Sequence, residues 1–240
     1  MKLQAEALTL VNGNRILLSD FSATFQAGKV YGILGPNGCG KTTLLHTLAG
    51  LRKPKQGNVL IEKQSIHFLK PKDRAKKIGL LPQDTVFSFP GTVLETVLLG
   101  RHPHQEHWFY DGATDIERAT QALSQVNLDA IAHRSIHQLS GGEKRRVAIA
   151  AILAQDPAVY LLDEPSSHLD IIQQFEALSL LVNQVKQRQK ILVMALHDLT
   201  LLQHFCDEIL VMGFFDQPLM GAYSEIYKAL KTMPFFAQMG

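Results

Sequence analysis

The stretch of sequence that decides the fold reads Gly35-Pro36-Asn37-Gly38-Cys39-Gly40-Lys41-Thr42. It follows the apolar segment Val30–Leu34 and opens a helical pattern, which is the strand–loop–helix setting of the motif G-x-x-x-x-G-K-[ST]. In this motif, glycines let backbone N–H groups surround a phosphate at the start of a helix. We expect Lys41 to reach the β- and γ-phosphates of a nucleotide, the Thr42 hydroxyl to bind Mg²⁺, and Thr43 to assist through the phosphates.

Two carboxylates end a second apolar strand. The predicted strand Val159–Leu162 is followed directly by Asp163 and Glu164. At a strand tip beside the phosphate loop, Asp163 can hold Mg²⁺ directly or through water, and Glu164 can polarise the attacking water as a general base. Paired acids at a strand end are often only solvated charges, so it is their combination with the phosphate loop that favours a role in hydrolysis.

Two further polar residues follow predicted strands. His197 comes after the strand Ile191–Ala195, and Gln83 comes after the strand Ile78–Leu81. Because ligands bind beyond the carboxyl ends of parallel strands, His197 could contact the γ-phosphate and the water. Gln83 could reach Mg²⁺ and the same water. A lone histidine is usually structural, and a glutamine by itself carries almost no information.

The remaining pattern predicts an α/β fold. Strands alternate with helices after residue 155, which favours a mainly parallel sheet, and residues 8–25 read as β structure around a turn at 12–14. Periodic apolar segments between 84 and 155 predict a helical insertion. We expect one domain with an α/β core at 1–83 and 156–225, a helical subdomain at 84–155 and a C-terminal tail at 226–240, whose aromatic residues the pattern does not place.

Composition narrows the functional class. With 46% hydrophobic and 19% charged residues the chain is an ordinary folded protein, and a net charge of +2 argues against nucleic-acid binding through a broad basic face. The longest apolar run, Val147–Ala154, is far shorter than the roughly 20 residues of a membrane-spanning helix. Cys39 and Cys206 do not make a disulfide framework, and the N-terminus lacks a secretory apolar core, so we expect a reducing, cytoplasmic compartment.

A second glycine-containing turn, Leu139-Ser140-Gly141-Gly142-Glu143, opens the helix that carries Lys144-Arg145-Arg146. As a capped helix start it suits an anion. It also resembles the signature of ABC transporter ATPases, and all the motifs above, with the stretch 166–170, occur in that family's order and usual spacing over roughly residues 3 to 225. The residues expected to contact nucleotide are Gly35, Pro36, Asn37, Gly38, Cys39, Gly40, Lys41, Thr42, Thr43, Ser140, Gly141, Gly142 and Asp170.

The resemblance implies an ABC-type P-loop NTPase core with an antiparallel N-terminal β subdomain. It also implies a head-to-tail dimer of two copies around two ATP molecules with Mg²⁺. In that dimer Lys41 of one copy would face Ser140 and Gly142 of the other, and Asp170 would lie at the dimer seam. Separate transmembrane permease subunits would bind the helical region near Gln83. A substrate-binding protein would be an indirect partner of the chain. The chain would be peripheral to the cytoplasmic face of the inner membrane, with no nucleic-acid partner.

Two segments, 92–104 and 164–171, resemble the importers for iron–siderophore, haem and cobalamin. We therefore expect ATP hydrolysis to drive import of a metal chelate or cobalamin. The alternatives are import or export of another substrate, and a soluble ABC ATPase acting on ribosomes or DNA, which usually carries tandem motors or long insertions. A third is an interaction module with a dead site, against which Lys41, Glu164 and His197 argue.

Two other features stay open. His102, His104 and His107 could suggest a metal site, but Pro103 stiffens this loop and no cysteine or tight carboxylate set completes a ligand group, so we expect a docking loop. Family members commonly place an aromatic residue in the early loop to stack on adenine. Residues 10–15 contain none, so no stacking residue is assigned and relaxed base selectivity is expected.

Overall fold

The computed structural model describes residues 1–85, 87, 90–105 and 112–231. Within them, strands and helices alternate along most of the chain. The strands are β1 (Lys2–Asn12), β2 (Arg15–Gln26), β3 (Val30–Leu34), β4 (Gln56–Ile61), β5 (Gln64–Ser65), β6 (Ile78–Leu81), β7 (Val159–Asp163), β8 (Ile191–Ala195), β9 (Glu208–Val211) and β10 (Leu219–Ala222). The helices are α1 (Lys41–Leu48), α2 (Pro71–Lys77), α3 (Val93–Leu98), α4 (Ala113–Gln125), α5 (Gly141–Gln155), α6 (Ile171–Gln187), α7 (Leu199–Phe205) and α8 (Tyr223–Lys231).

The N-terminal sheet is antiparallel, with the strand order β2-β1-β4-β5. A two-residue turn at Gly13-Asn14 joins β1 to β2, and Gly13 has a φ of +56°, a conformation that glycine adopts at little cost. This sheet confirms the antiparallel β region that the sequence predicts before the phosphate loop.

The second sheet is mainly parallel, with the order β10-β9-β3-β8-β7-β6. Every neighbouring pair in it is parallel except β10 and β9. Strands β3, β7 and β8 are buried along their whole length, which explains why their sequences are continuous apolar runs. The parallel strands bring their carboxyl ends to one edge of the sheet, where ligands of such folds bind.

Two hydrophobic clusters cover the two faces of the parallel sheet. Successive side chains of a strand point to opposite faces, so Tyr31 and Ile33 of β3 join the cluster that contains α1 and the N-terminal sheet. Val30 and Leu34 join the other cluster, which contains apolar residues of α3 to α7. Packing on both faces fixes the positions of the strand ends and of the loops that follow them.

Between β6 and β7 the described elements are α3, α4, α5 and short 3₁₀ turns, in agreement with the predicted helical insertion. Helices α3 and α5 each begin with a capping box, Thr92 with Glu95 and Ser140 with Glu143. The division of the chain into subdomains at residues 83 and 155 stays a prediction. No helix in the described part of the chain combines the length and the apolar character needed to cross a bilayer.

The C-terminal region contains two elements that the sequence pattern does not predict. Strand β10 pairs with the edge strand β9, and α8 buries Ile226 and Leu230 against the main core. The predicted boundary of the tail at residue 226 thus falls inside a helix. Phe235 and Phe236 of the tail lie outside the described residues. His107 of the predicted docking loop does so as well.

Candidate functional site

A cleft of about 490 Å³ lies beside the phosphate loop and the carboxyl ends of the parallel strands. It brings together residues from distant parts of the chain: the β1–β2 region, the phosphate loop, and the loops after β6, β7 and β8. No phenylalanine, tyrosine or tryptophan of the described residues lines it. The lining residues are Asn12, Leu17, Asn37, Gly38, Gly40, Lys41, Thr42, Thr43, Gln83, Glu164 and His197.

The phosphate loop turns sharply between β3 and α1. Gly38 and Gly40 have φ angles of +75° and +111°, a region that favours glycine, and a Cβ at Gly40 would also crowd Leu17 at 3.1 Å. The Lys41 side chain is buried, and its Nζ donates hydrogen bonds to the carbonyl oxygens of Gly35 at 2.8 Å and Pro36 at 3.3 Å. The ammonium group is therefore held inside the loop, at the start of α1, where an anion is favoured.

The side chains of Gln83, Glu164 and His197 form one hydrogen-bonded group. Glu164 Oε1 lies 2.5 Å from His197 Nε2, and Gln83 Nε2 donates to Glu164 Oε2 at 3.2 Å. Glu164 itself has a φ of +49°, an uncommon backbone conformation for a residue with a side chain. The three strand-end residues that the sequence predicts to meet are thus in direct contact, with the Glu164 carboxylate at the centre.

The neighbouring Asp163 has a different environment. It is 1% exposed, and within the described part of the chain neither carboxylate oxygen accepts a hydrogen bond. Buried carboxylate oxygens are costly unless they are paired, and Mg²⁺ takes one or two carboxylates together with phosphate oxygens and water. The residues present therefore fit Mg²⁺: Asp163 has the unpaired oxygens, while Thr42 and Gln83 line the adjacent cleft.

The signature turn is arranged differently from the phosphate loop. Ser140 accepts a hydrogen bond from the Glu143 N–H at 3.2 Å, and Glu143 Oε2 accepts one from the Ser140 N–H at 2.8 Å. The latter bond lowers the pKa of the Glu143 carboxyl. Ser140, Gly141 and Gly142 do not line the 490 Å³ cleft of their own chain. Gly141 faces a separate cavity with His168 and Arg145.

Asp170 also lies away from the cleft. It is the N-cap of α6, where its Oδ1 accepts a hydrogen bond from the Gln173 N–H at 2.9 Å. The first residues of the helix, Ile171 and Ile172, are 72% and 69% exposed. One chain therefore assembles the phosphate loop with the strand-end residues, but not with the signature turn or Asp170.

Sequence reasoning missed one residue of this region, Arg145. Its side chain is 3% exposed on α5, and its guanidinium joins the loop after β6 to the loop after β7. Burial lowers its pKa to about 10, although Asp163 and Glu164 raise it. It donates to five backbone carbonyl oxygens: Pro82 at 2.8 Å, Gln83 at 3.1 Å, Asp163 at 2.8 Å, Glu164 at 2.6 Å and Pro165 at 3.0 Å.

A signal for Arg145 was present in the sequence. Ala148, Ile149 and Ile152 follow it at spacings of three, four and seven, so all four residues share one helix face, and that face is buried. A charged residue at such a position must be paired, because an unpaired buried charge is strongly unfavourable.

The predicted docking loop is only partly described. His104 Nε2 lies 2.8 Å from the carbonyl oxygen of Gln155, at the end of α5, and burial lowers the pKa of this imidazole. Within the described part of the chain, no group of three or more His, Cys, Asp or Glu side chains is placed to hold a metal ion. His104 therefore ties its loop to α5.

Comparison with known proteins identifies relatives over most of the chain. The profile of the family described as ABC transporter matches residues 18–167. The chain is 37% identical to the petrobactin import ATP-binding protein FpuD of Bacillus anthracis, over 88% of this chain and 77% of that protein. It is 35% identical to the ferric enterobactin transport ATP-binding protein FepC of Escherichia coli (strain K12), over 95% and 84%. It is 38% identical to the cobalamin import ATP-binding protein BtuD of Halobacterium salinarum, over 84% of this chain but only 50% of that protein.

Solved structures show the same fold. An inward-facing metal-chelate type ABC transporter superposes with a TM-score of 0.82 at 29% identity, over 95% of this chain and 87% of that one. A dimeric bacterial ABC transporter cassette superposes with a TM-score of 0.77 at 29% identity, over 88% and 94%.

Proposed function

The chain belongs to the ABC transporter family, and we propose that it is an ATP-binding subunit that hydrolyses ATP to drive import of a metal chelate or cobalamin through separate permease subunits. The import assignment is supported by the relatives, which are named for the import or transport of petrobactin, ferric enterobactin and cobalamin. The ATPase assignment is carried by one observation within this chain: the contact of Gln83, Glu164 and His197 at the mouth of the phosphate loop.

The proposed roles follow from chemistry at each atom. The Lys41 ammonium and the N–H groups at the start of α1 bind the phosphates, because this end of the helix and the buried cation both favour negative charge. The Glu164 carboxylate accepts the proton of the attacking water. His197 and Gln83 hold that carboxylate in one orientation and bind the water and γ-phosphate.

Mg²⁺, when bound, supplies charge neutralisation at the β- and γ-phosphates. Asp163, Thr42 and Gln83 are the residues proposed to hold it. The case for Asp163 rests on its two buried oxygens, which accept no hydrogen bond from the described residues.

We further propose that two copies of the chain complete each other's reaction centres. Ser140, Gly141, Gly142 and Asp170 lie outside the cleft of their own chain, and they would act on the nucleotide of the second copy. The permease would hold this dimer at the cytoplasmic face of the inner membrane and would receive substrate from a substrate-binding protein.

The decisive experiment measures ATP turnover and ATP binding in parallel. Lys41→Ala should lose both, because the phosphate loop then lacks its cation. Glu164→Gln should keep ATP binding while turnover falls by about 10²- to 10⁴-fold, the usual contribution of a general base. Lys228→Gln, an exposed change on α8, is the control and should leave both unchanged. Near-normal turnover in Glu164→Gln would remove this residue from the role of base.

The substrate assignment needs a separate test. The chain should co-purify with a permease whose receptor binds an iron chelate or cobalamin, and that loaded receptor should stimulate ATP turnover in vesicles. Stimulation by a receptor for another class of solute, or transport outwards, would contradict the import proposal while leaving the ATPase proposal intact.

A further inference from the structure

The charges of this chain are unevenly distributed. Residues 51–77 contain nine of the 24 lysines and arginines but only two of the 22 aspartates and glutamates, so this segment carries +7 while the whole chain carries +2. The small net charge of the chain therefore does not describe this segment, which is strongly basic. The expectation that the protein lacks a broad basic face does not hold for residues 51–77.

Six of these cations lie on and beside α2, which has no buried residue. The Arg74 side chain packs over Gly50, at the end of α1, and Lys53 and Arg74 both lie close enough to His67 to lower its pKa, after the larger effect of burial. We call this region the basic surface. It consists of Lys53, Lys70, Lys72, Arg74, Lys76 and Lys77.

The basic surface has no part in the nucleotide cleft. None of its residues lines the cleft. Thr43 is the last residue of α1 that lines the cleft, and Gly50, against which Arg74 packs, lies beyond the far end of this helix, about 10 Å from Thr43 at 1.5 Å per residue. The charge of ATP therefore does not explain these cations.

Within the described residues, carboxylates do little to neutralise the basic surface. Among the described residues, Lys77 is the one member with a carboxylate within 4 Å, Glu62 at 3.8 Å, and both side chains are substantially exposed. Exposed pairs of this kind contribute little. The remaining cations of this surface would attract a partner with negative charge.

Large apolar side chains are exposed in the same region. Phe68 is 84% exposed and Leu51 is 62% exposed. Phe68 directly follows His67, which lies near Lys53 and Arg74, and Leu51 follows Gly50, against which Arg74 packs. An aromatic and an aliphatic side chain among several lysines match the boundary between lipid headgroups and acyl chains.

We propose that the basic surface binds the acidic phospholipid headgroups of the membrane, with Phe68 and Leu51 entering the interfacial layer. This proposal rests on the proposed function in one respect, namely that the protein works at a membrane. Binding of the basic surface to the bilayer would orient the subunit beside its permease. A nucleic acid is the less suitable partner, because single-stranded binding relies on several aromatic stacking platforms and the basic segment 51–77 contains one such residue, Phe68.

The test uses the full chain and vesicle flotation. Vesicles of phosphatidylcholine with an equal part of phosphatidylglycerol should bind the protein, and vesicles of phosphatidylcholine alone should not. The triple change Lys53→Gln, Lys70→Gln and Lys76→Gln should weaken binding on the order of a hundredfold, at about fivefold for each lysine near an anionic surface. These three side chains donate no hydrogen bond within the described structure, so the fold should be unaffected. Phe68→Ser should weaken binding with the charge unchanged.

The matched control removes three exposed cations elsewhere, Lys2→Gln, Arg118→Gln and Lys228→Gln. It should bind acidic vesicles like the unchanged chain. Equal loss in the two triple variants would show that total charge matters and would overturn the proposal. So would displacement from the vesicles by single-stranded RNA that binds more tightly at about 0.15 M salt. ATP turnover of the free chain should be equal in all variants, which keeps this outcome separate from the proposed function.

Discussion

Arg145 shows how one side chain can fix the geometry of a candidate reaction centre whose cleft it does not line. Its five hydrogen bonds to main-chain carbonyl oxygens hold the backbone of residues 82–83 against that of 163–165, and the bond to Glu164 supports a residue with a positive φ. Arg145 is therefore a positioning residue, acting on the side chains of Gln83 and Glu164 through their main chain.

The prediction for Arg145→Lys is a fall in kcat of at least about tenfold with little change in KM for ATP. Lysine keeps the charge but cannot reach five carbonyl oxygens in a fixed fork, so Glu164 loses its alignment. The phosphate loop makes no contact with Arg145 among its described hydrogen bonds. Arg146→Lys is the control, because Arg146 donates to the single carbonyl of Val126. Unchanged kcat in a folded Arg145→Lys protein would contradict the positioning role, and thermal melting monitors the fold.

Cys206 gives a prediction for pH. Burial raises the pKa of its thiol from 9.0 to about 12. The buried neutral thiol therefore stabilises the fold fully below pH 9, and this stabilisation is lost as the pH rises towards 12, because the unfolded chain releases the proton more readily. The difference in unfolding free energy between the unchanged chain and Cys206→Ala should shrink between neutral pH and about pH 10.5.

Denaturant unfolding at both pH values checks this prediction. At neutral pH, the difference in unfolding free energy between the two proteins measures the lost packing of the sulfur. The change in this difference with pH measures the ionisation of the thiol. Burial also raises the pKa of Tyr160, but this group is present in both proteins and cancels in the difference. A difference in unfolding free energy that stays constant or widens as the pH rises would contradict the raised pKa of the Cys206 thiol.

Secondary-structure elements were predicted well where burial gives a clear period or a continuous apolar run. The bounds Val30–Leu34, Ile78–Leu81 and Ile191–Ala195 are the same in the sequence prediction and the structure. Asp170 and Asp198 cap helices α6 and α7, so the local signals there agree with the packing. Helix α2 was not predicted, because it buries no residue and therefore has no apolar period.

The C-terminal elements were missed for a different reason. Strand β10 is short and half-buried, and it exists because β9 offers an edge for antiparallel pairing. Such a partner is decided by the fold of the preceding residues, and the local sequence carries little trace of it.

The turn between β1 and β2 gives a prediction at the scale of an element. Asn12 and Leu17, on either side of it, line the nucleotide cleft without an aromatic side chain. Since no phenylalanine, tyrosine or tryptophan in the part of the chain that the structure describes lines the cleft, we expect ATP and GTP to be hydrolysed with similar kcat/KM. Asn12→Tyr should lower KM for both nucleotides by adding a stacking surface. A strict preference of the unchanged chain for ATP would contradict this, and Lys228→Gln again serves as the control.

At the scale of the whole molecule, the sequence predicted which strand ends would meet but not what joins them. Gln83, Glu164 and His197 follow parallel strands of one sheet, so topology alone brings them together. Arg145 comes from a helix packed on that sheet, and its contacts depend on tertiary packing. The signature turn and Asp170 stay away from the cleft, so a single copy of the chain contains only part of the predicted site.

This incompleteness leads to a prediction about two copies of the chain. Glu164→Gln should form an ATP-dependent dimer that is visible by light scattering, because ATP stays bound without turnover. Lys41→Ala should stay monomeric under the same conditions. A dimer that forms equally without ATP would contradict the idea that nucleotide joins the two copies.

A mixing experiment tests whether the signature turn acts on the partner's nucleotide. Lys41→Ala lacks a working phosphate loop, and Ser140→Arg, an exposed change at the start of α5, lacks a working signature turn. Each variant alone should be inactive. In a mixed dimer, the phosphate loop of the Ser140→Arg copy faces the intact turn of the Lys41→Ala copy, which restores one reaction centre. When the two variants are mixed in equal amounts, about half of the dimers contain one copy of each. Each such dimer has one working centre out of two, so turnover should return to roughly a quarter of the unchanged level. If the turn instead served its own chain, both copies would carry a defective centre and mixing would restore nothing.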